Sequence, residues 1–337
     1  MARSRIREIR SGTYPRVVAQ RILCGSDEGS TGGVPTSRTG VPGVGTPDWC
    51  AMVTSSDSPA VADAPAADLR FRRPIRPGHF LRDLWRSRDL VRVLAAREFQ
   101  SRYKQTVLGV VWALLTPVLL VIVFTLFVNR VADIDTGDAP YILFAYIGLI
   151  PWSFFSFSLT RGGQSLVLDA GVINKVRCPR EVFPLAGMAS AGIDMVISVF
   201  VLGGLFVVTG FEVKTTVVWV PLIFLLQLAF VAGVVLVFAV LGVYFRDLYQ
   251  AMPLILQLGI LATPVAYGIE AIPKAWWSVY AALNPLAAVI ESYRQTMLYG
   301  YAPPWVLVIP ATVSSIIWLV GGYLLFKKLE VGIADVA

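Results

Sequence analysis

Apolar and polar positions along the chain fall into long blocks rather than into the short alternation of a soluble fold. Residues 107–128 make an uncharged run of 22. A helix rising about 1.5 Å per residue crosses a hydrocarbon core of roughly 30 Å with about 20 residues. Five more blocks follow, at residues 141–159, 185–209, 217–245, 251–267 and 305–326. The pattern predicts an all-α integral membrane protein with six transmembrane helices. Between the last two blocks, residues 272–298 are too apolar for an aqueous loop, yet each of their apolar stretches (272–283 and 286–298) is too short to cross. Asn284 and Pro285 divide them, because a residue before proline is pushed out of helical geometry. A re-entrant helix pair dipping into the outer leaflet is therefore expected. Glu291 and Arg294 speak against a seventh and an eighth span.

Ahead of the first block, residues 70–106 read as a basic connector followed by an amphipathic interfacial helix. Phe80, Leu84, Val91, Leu94 and Phe99 are interleaved with Arg82, Arg86, Arg88, Arg92 and Arg97. Such a helix lies in the headgroup layer with its arginines against anionic lipid, or packs on a protein surface. Residues 1–69, rich in Gly, Pro, Ser, Thr and Ala, hold too few large apolar groups to offset ordering entropy, so a disordered cytoplasmic tail is expected there. The membrane domain then covers residues 107–328, with a short cytoplasmic C-terminus at 329–337. The first 25 residues show no apolar core of a secretory signal.

Composition agrees with lipid as the solvent. The chain is 56% hydrophobic and 15% charged, against about 25% charged in soluble domains. The net charge of +7 would suggest nucleic acid in a soluble protein, but retention of Lys and Arg on one membrane face is the simpler cause. With the N-terminus inside, the flanking segments on that side hold 18 Lys and Arg, and the outer segments hold only Arg130, Lys214, Lys274 and Arg294. Both termini are then cytoplasmic, in a multi-pass protein of the cytoplasmic membrane.

Candidate chemistry is sparse. No G-x-x-x-x-G-K-[ST] occurs, so the chain has no such phosphate cradle and would draw energy from a partner or an ion gradient. Cys24, Cys50 and Cys178 are isolated, and His79 is the one histidine, so neither a metal site nor a cofactor is expected. Asp194 sits near the middle of the third span; an intramembrane acid marks either function or a helix-packing contact. Aromatic side chains, among them Trp112, Phe124, Phe127, Tyr146, Trp152 and Phe155, face lipid or line a path for sugars, whose C–H faces stack on rings. The loop 161–184 is too long for a turn. A short amphipathic helix at 165–173 would offer Leu166, Val167 and Leu168 to a cytoplasmic protein or to the chain's own spans.

Several stretches together resemble the permeases of type-2 ABC transporters that export polysaccharides and polyol phosphates. They are REFQSRYKQTVLG at 97–109, IPWSFF at 150–155, NKVRCPREVFP at 174–184, FRDL at 245–248, TPV at 263–265 and LNPL at 283–286. The resemblance covers about residues 78–330 and does not account for the tail. It implies a homodimer with two copies of a cytoplasmic ATPase subunit that binds the ATP and Mg2+, and a lipid-linked glycan as substrate. It further implies that Arg97, Arg102 and Lys104 admit a lipid phosphate, that residues 166–175, including Lys175, couple to the ATPase, and that the pair around Asn284 and Pro285 caps the channel. Two other classes remain open on sequence: an exporter of drugs or lipids with this architecture, and a membrane transferase with Asp247 or Glu291 as its acid or base.

Overall fold

The computed structural model describes residues 87–103, 115, 118–119, 122–123, 139–173 and 179–336, and among these there is helix but no strand. The tail, almost all of the first expected span, the loop after it and Lys175 lie outside the described residues. The helices are α1 (Arg88–Tyr103), α2 (Tyr141–Leu168), the single turn α3 (Ala170–Ile173), α4 (Val182–Thr209), α5 (Val220–Tyr244), α6 (Asp247–Ala262), α7 (Trp277–Leu283), α8 (Pro285–Arg294) and α9 (Trp305–Val336).

Four of the described helices are long and apolar enough to cross a membrane: α2, α4, α5 with the turn before it, and α9. The protein is therefore a multi-pass membrane protein. Their burial separates centre from rim. The most apolar windows of α2 and α5 are 72% and 67% buried, those of α4 and α9 only 28% and 22%. α5 is apolar all round, as a helix enclosed by others must be. It packs on α2, α4, α8 and α9. Lipid does not drive helices together, so close backbone approach has to hold them. A Cβ on Gly187 of α4 would lie 2.7 Å from the backbone nitrogen of Gly162 in α2. Gly233 of α5 and Gly322 of α9 meet backbone to backbone in the same way.

Several expected boundaries are corrected. α2 does not stop at residue 159 but runs on through RGGQSLVL to Leu168, because Gly162 is needed for the α4 crossing and Leu166 is buried. The expected separate helix at 165–173 is consequently the last turn of α2 plus α3, divided at Asp169. α9 continues past Lys327 and Lys328 to Val336 instead of ending near 326. α6 has 16 residues, about 24 Å at the helical rise, and it starts and ends four to five residues earlier than the block 251–267. The break at Asn284 is present. That residue has φ −127° and ψ 80°, α7 ends before it, and α8 begins with Pro285 at its first position.

Side chains pack in two main clusters. One, at the α1 end, joins Leu94 of α1 to Leu166, Val182, Phe183, Leu236, Val240 and Phe326. The larger one fills the middle and the opposite end, around Phe144, Tyr146, Phe154, Val235, Val289 and Tyr293. α1 thus docks on α4 of its own chain, whatever lipid lies beneath its exposed arginines.

Candidate functional site

At the α1 end a helix, a hinge and a one-turn tip are brought together. The α2 helix stops because Asp169 leaves helical geometry (φ −98°, ψ 15°) while its amide still donates to the Ser165 carbonyl. The Asp169 carbonyl then accepts from Val172 and Ile173 at 2.8 and 3.0 Å, which starts α3. The Asp169 carboxylate pairs with Arg97 of α1. One residue along α1, Glu98 accepts from Arg161 of α2 at 3.0 Å. Val172 and Ile173 pack partly buried against the cluster that holds Leu94. Val167 and Leu168 stay exposed. Beside them, Lys327 of α9 donates to Glu181 at 2.7 Å and to Glu330 at 3.0 Å, and Arg180 donates to the Glu330 carbonyl at 2.9 Å. These bonds anchor the part of α9 that runs past its apolar stretch.

The opposite end is built on one side chain. α6 ends at Ala262 and the chain continues extended, with Thr263 at φ −100° and ψ 137°. Carbonyls there have no helical partner, and in an apolar surrounding each unsatisfied one costs several kcal/mol on the order of a lost hydrogen bond. Arg294 supplies the donors. Its Nη1 reaches the carbonyls of Pro264 at 2.8 Å and Tyr267 at 2.9 Å, its Nη2 that of Val265 at 2.5 Å, and its Nε that of Phe144 at 3.3 Å. Tyr141 donates to Ala266 at 2.9 Å, so every carbonyl from 264 to 267 accepts from a side chain. The guanidinium lies 3.6 Å from the centroid of the Phe144 ring, a cation–π contact. Gly148 makes room: a Cβ there would come within 2.6 Å of Nη2. Arg294 has 0% exposure.

A second buried polar group ties this end to the centre. Gln227 of α5 donates to the Pro151 carbonyl at 3.2 Å and accepts from Tyr293 at 3.2 Å. Glu291, almost as buried as Arg294, accepts from Gln295 at 2.8 Å. Gln227 and Tyr293 are not among the residues singled out from the sequence, where Arg294 counts as an outer loop cation and Glu291 as a charge against a further span and a transferase candidate. A lone Gln in an otherwise apolar span, and a Tyr-Arg-Gln triplet between two apolar stretches, were the available signals.

The expected site residues divide as follows. Arg97 meets Asp169, so its charge is already engaged; Arg102 falls in the last turn of α1, and Lys104 is outside the described residues. Leu166 is 2% exposed and packs inward, so of the three apolar residues proposed for a partner only Val167 and Leu168 face outward. Trp112, Phe124 and Phe127 lie outside the described residues. Tyr146 has no exposed surface, and its hydroxyl donates to the Ser198 carbonyl at 3.2 Å. Trp152, buried, and Phe155, half-buried, begin a ladder of rings through Phe230 to Trp318, with centroids 5.6, 5.9 and 6.3 Å apart. The ladder binds α2, α5 and α9 together. Asp194 is 7% exposed and has an interaction partner. Asn284 donates to Thr263 at 2.8 Å and holds the start of the extended segment. Among the described residues no three His, Cys, Asp or Glu side chains group as metal ligands.

The described residues thus form a helical membrane domain with a charged tip, broken at Asp169, at one end and a capped irregular segment at the other. The chain belongs to the ABC-2 type transporter family, whose model matches residues 89–298, more than half of its length. It is similar to the O-antigen export system permease protein RfbA of Klebsiella pneumoniae, with 30% identity over 74% of this chain and 95% of that protein. The protein of the same name from Myxococcus xanthus is 31% identical over 66% of this chain and 85% of its own length. The polysialic acid transport protein KpsM of Escherichia coli is 26% identical over 71% of this chain and 93% of its own.

Proposed function

We propose that this chain is the transmembrane subunit of an ABC exporter that moves a lipid-linked polysaccharide across the cytoplasmic membrane, driven by ATP hydrolysed in a separate subunit. The observation that carries this reading is the similarity, over 95% and 93% of their length, to permeases named for O-antigen export and polysialic acid transport, in a chain whose sequence has no G-x-x-x-x-G-K-[ST]. The working unit on this reading is a homodimer with two ATPase subunits. Six spans place both termini in the cytoplasm, with the run 107–128 as the first and α6 as the fifth. α7 and α8 form the re-entrant cap at the outer end, and the aromatics outside the described residues (Trp112, Phe124 and Phe127) are the remaining candidates for the sugar path. Val167, Leu168 and Lys175 meet the ATPase. Arg102 and Lys104 admit the lipid phosphate, as cations beside a dianion in a partly dry site.

Deletion of the chain is the direct test. Surface polysaccharide is expected to disappear while its lipid-linked precursor accumulates inside, and re-expression restores both. Unchanged surface polysaccharide in the deletion strain overturns the reading.

A further inference from the structure

Two ion pairs of opposite sense join α1 to the tip of α2, and their geometry has a mechanical meaning. On α1 the partners are adjacent: Arg97 binds Asp169 and Glu98 binds Arg161. On the α2 side they are eight residues apart, about 12 Å along the helix. Two anchors at that spacing resist both sliding and rotation of α1. The alternation of sign adds register, because a shift that brings Arg97 toward Arg161 sets like charges together. One anchor sits at the helix break, since Asp169 both ends α2 and begins α3, and the other, Arg161, lies inside α2. Exposed pairs of this kind contribute little to stability, so the docking of α1 is held by Leu94, with Leu90 and Val91 beside it, in the apolar cluster and not by the charges. Only four residues beyond the end of α1, the run 107–128 begins.

We infer that Arg97, Glu98, Arg161 and Asp169 are positioning residues that make α1 and the α2–α3 tip move as one body. A push on the tip is then delivered to the head of the first apolar run instead of being absorbed at the Asp169 hinge. The inference rests on the proposed docking of an ATPase subunit at the tip, and it assigns Arg97 to force transmission, not to lipid phosphate.

The test uses the chain co-expressed with its ATPase subunit in the deletion strain. It reads surface polysaccharide by periodate–hydrazide labelling of cells and ATP hydrolysis by the purified complex in lipid nanodiscs. D169R is expected to lower export per ATP hydrolysed by about ten-fold, within the range of ordinary coupling energies, and the exchanged pair R97D/D169R to restore it to within about two-fold. E98R and the exchange E98R/R161E provide an independent second pair with the same expected pattern. The inference is overturned if the single variants keep the wild-type ratio, if export and hydrolysis fall together, or if the exchanges restore nothing. If no ATPase subunit co-purifies with the wild-type chain, the proposed function fails first and takes this inference with it.

Discussion

Arg294 is fully buried and spends its donors on four backbone carbonyls, whereas Arg97 and Arg161 meet carboxylates on side chains that keep part of their surface exposed, and Lys327 meets the nearly buried Glu181. Both regions use arginine, but the alternatives open to each differ. Without Arg294 the carbonyls of Pro264, Val265 and Tyr267 lose their side-chain donor, because helix geometry has ended there and Tyr141 serves Ala266. Without Arg97, Asp169 turns to water. Charge at the Arg294 end is therefore architecture, and charge at the α1 end is adjustable linkage laid over a fold that apolar packing already holds.

The comparison breaks most visibly at Arg294. Replacement by Met is predicted to cost about 3–5 kcal/mol, the usual range when a buried charged hydrogen-bonding partner is removed, read as a lowered unfolding midpoint in detergent. Arg294→Lys keeps the charge but has three donors without the planar fork, so an intermediate midpoint is expected; a Lys variant as stable as wild type would show that charge alone matters there. Gly148→Ala sharpens the same point without touching the arginine. A Cβ 2.6 Å from Nη2 and 2.7 Å from the Val265 carbonyl is expected to destabilise by about 1–3 kcal/mol, as overpacking does. Loss of less than about 0.5 kcal/mol would mean that the bracket shifts freely. The smallest of the three is Lys327→Met at the α1 end. Glu181 is nearly buried and loses its ion pair, so about 1–2 kcal/mol is expected, between an exposed and a fully buried pair. A loss equal to that at Arg294 would erase the distinction between the two ends.

Much of the helical plan is legible in the residues, for physical reasons that also mark where legibility stops. α5 is a long uncharged run and α4 carries Asp194 as its one charge; a helix satisfies its own backbone in lipid, so their positions follow from hydropathy. Gly210, at φ +65°, closes α4 between the blocks 185–209 and 217–245. Pro285 likewise announces the break between α7 and α8. The extension of α2 was hidden because Arg161, Gly162, Gly163 and Gln164 read as loop, while the actual constraint is a backbone crossing with α4 that leaves only glycine as its trace. Arg294 was hidden more thoroughly. Its partners are carbonyl oxygens, which every residue has, so no pairing motif exists to find. Counting it among outer loop charges also placed it in water. The pairing of Arg97 with Asp169 spans 72 positions and likewise leaves no local signature, although both residues fell inside stretches singled out for function.

Unfolding of Arg294→Met and of Arg97→Ala, compared side by side in the same detergent and lipid, tests the division of labour most directly. The expected result is a loss of about 3 kcal/mol or more for the first and less than about 1 kcal/mol for the second. A wild-type midpoint for Arg294→Met, or an equal loss in both variants, would contradict it.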